Sequence, residues 1–279
     1  APSTPPLPAL PPVEEGKLDQ LVAMIKAAKR PMIWLGGGAR EASAEATALV
    51  ARGFGVVTST QGRAIVAEVN GATLGAFNMT PEARKIYAKS DLMIVVGSRL
   101  RGNETLNNKM KLPSPLVQID VEPTQSGRNY PIDLFLCGDA AQTLRALLGR
   151  LPETLDVDPQ QNYEIAVARA QSEGALRGRL GPYQTVADHL LVVVPAGGHP
   201  WVRDVTISNS TFGNRYVQIA APHLGVHALG GGIGQGIAMA VGAAVASPDA
   251  RTVTLLGDGG AMLGIAELIT AVDENANIT

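Results

Sequence analysis

Short apolar runs that alternate with helix-like stretches constrain the fold of this chain more than any other feature. In the first half, five such runs occupy residues 31–35, 55–58, 91–96, 116–119 and 134–136. Strands that are apolar on both faces are typical of a parallel sheet covered by helices on each side. The alternation therefore predicts one doubly wound α/β domain over residues 17–152.

The helices of this domain are visible in the hydrophobic periodicity. Four apolar residues recur at the spacing i, i+3, i+4 and i+7, which puts them on one face of the first helix: Leu18, Leu21, Val22 and Ile25. Further helices are predicted over residues 42–52 and 140–151, and a charged surface helix over residues 163–181. These helices supply the two layers that the sheet needs.

The second half repeats the alternation with weaker strands. Helices are predicted over residues 183–194, 237–247 and 260–274, and strands over residues 202–207 and 251–256. Residues 275–279 are expected to connect to a further strand. The predicted fold class is α/β with two doubly wound parallel-sheet domains, the second incomplete at its C-terminus. The predicted boundaries are a Pro-rich linker (1–16), a central domain (17–152), an interdomain linker with a helix (153–181) and the second domain (182–279).

Composition excludes several classes of function. The net charge of −2 and the 4% of aromatic residues give no electrostatic or stacking surface for nucleic acid. No apolar run reaches the roughly 20 residues that span a bilayer. Cys137 is the only cysteine, so neither a disulfide within the chain nor a thiolate metal site is expected. We expect no nucleic-acid partner, no membrane and a cytoplasmic location; Cys137 is expected to be an inert core residue.

The segment Gly257-Asp258-Gly259-Gly260 follows a predicted strand and opens a predicted helix. Glycines let a backbone approach phosphates, and the free amides of a helix N-terminus point at them. A carboxylate at the same place suits a hard divalent cation such as Mg²⁺. The alternative is a tight turn in which Asp258 caps the helix. The glycine-rich run Gly230–Gly236 upstream favours the ligand site over the cap, although it also suits close packing of a helix on a sheet.

Several other residues are weaker candidates for sites. The triple glycine at residues 36–38 follows a strand but lacks the GxGxxG spacing, so it predicts a nucleotide only weakly. Asp120 ends a strand, where a ribose contact or a surface turn are equally compatible. His223 and His227 are not expected to share a helix, and a substrate contact by either is a minor alternative. Asn214 and Arg215 could bind a substrate carboxylate, but solvated surface is preferred.

Taken together, these motifs resemble a known family. Residues 181–279 resemble the diphosphate-binding domain of the thiamine-diphosphate enzymes, in the group of acetolactate synthase, benzoylformate decarboxylase and pyruvate oxidase. Residues 17–152 are similar to the central domain of that family. The resemblance depends on the order and spacing of the Gly-Asp-Gly turn, of Glu267-Leu268 in its helix and of the run Gly231–Gly236. It implies thiamine diphosphate and Mg²⁺ as cofactors, and FAD or another ADP-containing ligand in the central domain of some members.

The resemblance also implies roles for individual residues. Asp258 matches the Mg²⁺ ligand. Gly231 matches the residue whose carbonyl accepts from the aminopyrimidine, and Ile233 matches the apolar wedge that bends the cofactor. The remaining matches contact the diphosphate: Gly257, Gly259, Gly260, Ala261, Ser210 and Thr211. Gly260 departs from the serine that is common in the family, so one hydroxyl donor is missing.

The activity implied by the resemblance is decarboxylation of a 2-oxo acid, with carboligation in some members, by a homodimer or homotetramer. We expect the chain to be a fragment of such an enzyme. The second metal ligand is expected beyond Thr279, and the catalytic glutamate of the family in a preceding domain, so no catalytic residue is assigned in this chain and it is not expected to be active alone. The alternatives are a flavin-dependent oxidase of the same family and a non-catalytic nucleotide-binding or regulatory protein.

Overall fold

The computed structural model describes residues 14–206 and 211–279. Its first sheet has five parallel strands in the order β2-β1-β3-β4-β5. The strands are β1 (Pro31–Leu35), β2 (Gly55–Thr58), β3 (Leu92–Val96), β4 (Leu116–Asp120) and β5 (Leu134–Cys137). Every residue of β1, β2 and β3 is buried. The predicted strands of the first half are therefore confirmed, with bounds that differ by one residue at most.

Helices cover both faces of this sheet, as the alternation predicted. They are α1 (Glu15–Ala27), α2 (Ser43–Ala51), α3 (Pro81–Lys89), α4 (Ala140–Leu148) and α5 (Gln161–Arg177). Alternate residues of β1 enter two separate cores: Ile33 and Leu35 pack with α1, α2 and α4, whereas Met32 and Trp34 pack with α3 and α5. Because side chains along a strand alternate between the two faces, one strand serves both cores.

Helix α5 contributes more than its charged surface suggested. Ile165 and Ala168 lie in the same core as Trp34. At its N-terminal end, Glu164 pairs with Arg30 and Lys89. The helix therefore belongs to the layer that covers the first sheet.

The second sheet has three parallel strands in the order β7-β6-β8. The strands are β6 (Trp201–Arg203), β7 (Gly225–His227) and β8 (Val253–Leu255), with helices α6 (Gln184–Ala196) and α7 (Gly236–Ala246). The predicted strand over residues 202–207 is thus found at residues 201–203, and residues 207–210 lie outside the described part. Strand β7 was not predicted.

The prediction of one helix over residues 260–274 is wrong. Two helices are present, α8 (Asp258–Leu263) and α9 (Glu267–Asp273). Gly264 separates them, and its N–H donates to the carbonyls of Gly260 and Ala261. A Cβ at Gly264 would lie 3.0 Å from the carbonyl oxygen of Gly234. The break therefore lies where the chain passes closely under a neighbouring loop.

The last described residues run beside β8. Thr252 forms an isolated parallel bridge with Ile278. The N–H of Thr279 donates to the carbonyl of Thr252, and the N–H of Thr254 donates to the carbonyl of Thr279. Residues 275–279, predicted to be a connection, therefore already begin to pair with the sheet.

A buried ion pair connects the region of the first sheet with the region of the second. Arg63 and Glu68 form it, with 1% and 5% of their side chains exposed. Arg63 also donates to the carbonyls of Gly213 (3.1 Å) and Val217 (2.5 Å), and Glu68 accepts from the N–H of Ile219. The contacts fix the segment after residue 210 against the first region.

Within the described residues, each helix is too short or too polar to traverse a lipid bilayer.

Candidate functional site

Three loops meet at the carboxyl edge of the second sheet. Asp204 follows β6, the glycine-rich run follows β7, and Gly257-Asp258 follows β8. In open parallel α/β sheets, ligands bind in the crevice at this edge. The fold therefore brings the two glycine motifs of the sequence, about 25 residues apart, to one place.

Helix α8 begins directly at Asp258, with Gly257 as its N-cap in an extended conformation. Asp258 and Gly259 are exposed. The Ala261 N–H donates to the carbonyl of Gly257 (2.9 Å), which is the first bond of the helix. The amides of Asp258, Gly259 and Gly260 precede that bond and have no acceptor within the helix. A carboxylate and three amides without an acceptor in the helix thus lie side by side.

The glycine-rich run adopts a conformation that side chains rarely allow. Gly230, Gly231 and Gly234 have φ angles of 68°, 77° and 93°. At Gly231 no described atom lies within 4 Å of the place a Cβ would take. Ile233, between these glycines, keeps 58% of its surface exposed. The glycine loop therefore carries a large apolar side chain that is largely exposed.

The glycine-rich run is in close contact with α8. A Cβ at Gly260 would lie 3.6 Å from Cγ2 of Ile233, and one at Gly234 would lie 2.8 Å from Cβ of Leu263. A Cβ at Gly257 would lie 3.5 Å from Cγ2 of Thr206. The structure therefore brings Ile233 and Gly234 of the glycine-rich run against α8. Thr211 is half-buried, and Ser210 lies outside the described residues.

Asp204 is a buried residue of this site that the sequence analysis missed. Its surface is fully buried, and its carboxylate accepts from the N–H groups of Gly234 (2.8 Å) and Val205 (2.7 Å). The residue lay inside a predicted strand, where an aspartate is unusual. That mismatch between residue type and predicted strand was the available signal.

His227 ends β7 and contacts the first region. Its Nε2 lies 2.7 Å from the Nε2 of Gln61, and the Gln61 Oε1 accepts from Arg40 (2.9 Å). The Gln61 amide therefore donates, and the His227 Nε2 accepts. Burial, together with the positive charges of Arg203, Arg40 and Arg63, lowers the pKa of His227 to about 3. The imidazole is thus neutral at ordinary pH.

The preference for a solvated Arg215 is wrong. Both Arg215 and Asn214 are half-buried, and each has a buried polar atom without a partner among the described residues, Nε and Oδ1. Burial and the nearby charges of Arg63 and Arg179 lower the pKa of Arg215. His223 lies in the short turn Pro222–Leu224, outside any helix with His227, as expected.

The triple glycine of the first region lies where the loops after β1 and β3 meet. The N–H of Gly36 donates to the carbonyl of Val96 (2.8 Å), and that of Gly38 to the carbonyl of Gly97 (3.0 Å). A Cβ at Gly36 would lie 2.2 Å from the Gly97 oxygen. These glycines let the loops after β1 and β3 touch, and two of their three amides are already engaged.

A cavity of about 240 Å³ lies instead further out, beyond the ends of β3 and β4. Its lining is Arg99, Arg101, Gly102, Gln125, Arg128 and Asn129. Asp120 ends β4 nearby, and burial raises the pKa of its carboxyl. Three arginines in one concave surface suit a phosphate-bearing ligand.

Two further expectations concern metal and thiol chemistry. Among residues 14–206 and 211–279, no group of three or more His, Cys, Asp or Glu side chains is placed to hold a metal ion. Asp258 therefore belongs to no such group among the described residues. Cys137 is half-buried in an edge strand and not in the core; burial, with the nearby charge of Glu14, raises the pKa of its thiol.

Two family models match the chain. The central domain of thiamine pyrophosphate enzymes matches residues 18–147. Their C-terminal TPP-binding domain matches residues 206–279. The second match contains the glycine-rich run and the start of α8.

Curated relatives agree with these matches. A probable 2-ketoarginine decarboxylase of Pseudomonas aeruginosa is 29% identical over 252 residues, which covers 90% of this chain and 45% of that protein. A probable acetolactate synthase large subunit of Methanococcus aeolicus is 25% identical and covers 93% and 47%. A pyruvate oxidase of Lactiplantibacillus plantarum is 26% identical and covers 95% and 45%. The chain spans about half the length of the curated relatives it matches.

Proposed function

This chain belongs to the thiamine pyrophosphate enzyme family, and we propose from that premise that it forms part of a thiamine-diphosphate- and Mg²⁺-dependent enzyme that decarboxylates a 2-oxo acid. The observation that carries the proposal is the meeting of Asp258, the free amides of α8 and the Ile233 loop at one sheet edge. This edge lies within the segment that matches the TPP-binding domain.

The residues present fit a metal-bound diphosphate. Asp258 offers an exposed, hard carboxylate oxygen, which Mg²⁺ prefers. The amides of Gly259 and Gly260 belong to the first turn of α8, where anionic oxygens are favoured. Ala261 would have to exchange its bond to Gly257 for a phosphate oxygen, so we assign the donor role first to Gly259 and Gly260. Ser210 and Thr211 are proposed as further contacts to the diphosphate.

The glycine loop would hold the other end of the cofactor. We assign the Gly231 carbonyl as acceptor for the aminopyrimidine, because that residue is exposed and its surroundings are open. Ile233 would press against the cofactor and keep it bent. Bound thiamine diphosphate supplies the electron sink that decarboxylation of a 2-oxo acid needs. The chain itself binds, orients and shields that group.

The reaction class and the assembly belong to the same proposal. The relatives named above include a probable decarboxylase and a probable acetolactate synthase, so both a lyase and a carboligating transferase are open to this site. A homodimer or homotetramer is proposed as the working assembly, with a 2-oxo acid as the substrate.

A second candidate is a flavin-dependent oxidase. The cavity lined by Arg99, Arg101 and Arg128 favours it, because three guanidinium groups suit the diphosphate of FAD or of another ADP-containing ligand. A pyruvate oxidase is among the relatives. A non-catalytic nucleotide-binding protein would use this cavity alone.

Binding measurements separate these functions. We expect thiamine diphosphate to bind the chain only with Mg²⁺, and Asp258→Ala to weaken that binding at least tenfold, because the variant removes the metal's carboxylate. Asp249→Ala is the matched control, since Asp249 is an exposed aspartate of the same region. Titration calorimetry gives the affinities.

Two outcomes would change the assignment. Equal affinity of the Asp258→Ala variant and the parent would place the metal elsewhere. Binding of ADP or FAD to the chain without any binding of thiamine diphosphate would favour the nucleotide-binding protein.

A further inference from the structure

Asp204 occupies the point where the three loops of the candidate site converge. Its side chain is fully buried. Its backbone N–H donates to the carbonyl of Leu255 (3.3 Å), at the end of β8. Its Oδ2 accepts from the N–H of Gly234 (2.8 Å). One residue at the end of β6 thus touches both the loop after β7 and the end of β8.

Two glycines leave room for this carboxylate. A Cβ at Gly260, in the first turn of α8, would lie 2.6 Å from Oδ2 of Asp204. A Cβ at Gly236, at the start of α7, would lie 2.9 Å from Cβ of Asp204. Contacts under 3.0 Å are not compatible with an unmoved neighbour. The carboxylate is therefore enclosed by the starts of two helices and by the glycine loop.

The electrostatics of Asp204 point to a role in holding backbone. None of the ion pairs among the described residues includes it. Its two oxygens instead accept from two backbone amides, those of Gly234 and Val205. A buried carboxylate without a cation costs stability that a neutral side chain would not. Two acceptor oxygens for two N–H groups are what the carboxylate supplies and an amide side chain cannot.

The amide that Asp204 binds is the one that follows Ile233. The N–H of Gly234 and the carbonyl of Ile233 belong to the same planar peptide. A hydrogen bond to that N–H therefore fixes the orientation of the peptide on which Ile233 is carried. The same oxygen lies against Gly260, whose amide we assign to the diphosphate.

We propose that Asp204 is a positioning residue that locks the Ile233 loop to the first turn of α8, and so presets the distance between the ring end and the diphosphate end of the cofactor pocket. This inference rests on the proposed function for the identity of the ligand. The lock itself is a property of the chain without ligand. Its two consequences can be measured separately.

Amide hydrogen exchange of the chain without cofactor tests the lock. Asp204→Asn keeps the size of the side chain but replaces one acceptor oxygen by an NH2 group, which cannot accept from the N–H of Gly234 or Val205. We expect exchange at Gly234 to rise at least tenfold in this variant, with exchange at Val202 and Thr254, in the strands, within threefold of the parent. Asp249→Asn, an exposed control, should leave Gly234 unchanged. Equal exchange at Gly234 in parent and variant would overturn the proposal, as would an equal rise in the strands, which indicates general loosening.

Affinity for thiamine diphosphate with Mg²⁺ tests the consequence for the pocket. Gly260→Ala should weaken binding at least tenfold, because its methyl group displaces the Asp204 carboxylate. In an Asp204→Ser background, where that carboxylate is absent, the same Gly260→Ala change should weaken binding less than threefold. Additive effects of the two substitutions would overturn the proposal.

The exchange and binding measurements distinguish failure of the Asp204 role from failure of the proposed function. If the parent chain does not bind thiamine diphosphate, the proposed function fails, and the exchange at Gly234 still decides whether Asp204 holds the loop. If the parent binds and Asp204→Asn binds equally well with unchanged exchange, only the inference fails.

Discussion

The two sheets of this chain are built on different principles. Strands β1, β2 and β3 are buried at every position, and two hydrophobic cores enclose the first sheet. In the second sheet, β7 and β8 are half-buried along their length, and only β6 is fully covered. Side-chain packing therefore defines the first region, whereas much of the second depends on glycine backbone and polar contacts.

The helices that follow show the same contrast. In α8, α9 and the turn between them, six large apolar side chains face outward with 49% to 75% of their surface exposed: Met262, Leu263, Ile265, Leu268, Ile269 and Val272. Helices α1 and α4 bury theirs. The candidate site is therefore open to a ligand where the hydrophobic core is thinnest, so backbone and polar contacts have to hold its geometry.

The largest effect is expected at the junction between the regions. Arg63→Met should destabilise the chain by about 3–5 kcal/mol, because it leaves the buried carboxylate of Glu68 without its cation. It also removes the donors to Gly213 and Val217. In urea unfolding, the transitions of the two regions should lie further apart in the variant than in the parent.

A surface pair is the control for this change. Lys17→Met removes the partner of Glu14, where 41% and 37% of the side chains are exposed, and should cost less than about 1 kcal/mol. Similar costs for the two variants would mean that the junction does not hold the regions together.

A smaller difference is expected between the sheets themselves. Ile94→Ala, in β3, should cost about 2–5 kcal/mol because the residue is fully buried. Leu255→Ala, in β8, should cost about 1 kcal/mol because Leu255 is only half-buried. The comparison between the sheets predicts this order.

The two tryptophans allow each sheet to be followed on its own. Trp34 lies in β1 and Trp201 in β6, and both are fully buried. Fluorescence of the Trp34→Phe chain reports the second sheet, and that of Trp201→Phe the first. We expect the second sheet to unfold at the lower urea concentration. If the first sheet unfolds at the lower urea concentration, the second sheet is not the less stable of the two.

A further effect concerns pH. His227 has a pKa of about 3 in the folded chain against 6.5 in the unfolded one. Between these values the unfolded state binds the extra proton, so stability falls as pH decreases below about 6.5. His227→Gln should flatten the dependence of the unfolding midpoint between pH 7 and 5. A parent and variant with the same slope would show that this imidazole is not held neutral.

The first region could be predicted from sequence because burial leaves a pattern. Runs such as Leu92–Val96 are apolar without interruption, and their neighbours carry helical periodicity. Strand β7 (Gly225–His227) has no such run, since it is three residues long and half-buried. Its existence follows from pairing with β6 and not from its own composition.

The candidate site was predicted only in part. Asp258 and its glycines could be named as candidates from residue type and spacing, because such residues suit phosphate and metal ligands. Gly264 looks like any glycine in a helix until Gly234 is seen to pass beside it. Asp204 was missed, and Arg215 was expected on the solvated surface, because burial of a charged residue is decided by neighbours distant in sequence.

The loops after β1 and β3 share one small volume, and this limits which sequences the corner can tolerate. Gly36 faces the backbone oxygen of Gly97 at 2.2 Å from its Cβ position, and Gly97 itself has a φ of +58°. A backbone atom cannot be mutated away, so a second substitution cannot compensate for the first. A saturation library should therefore return only glycine at both positions. The apolar residues of the same region, by contrast, can exchange for one another.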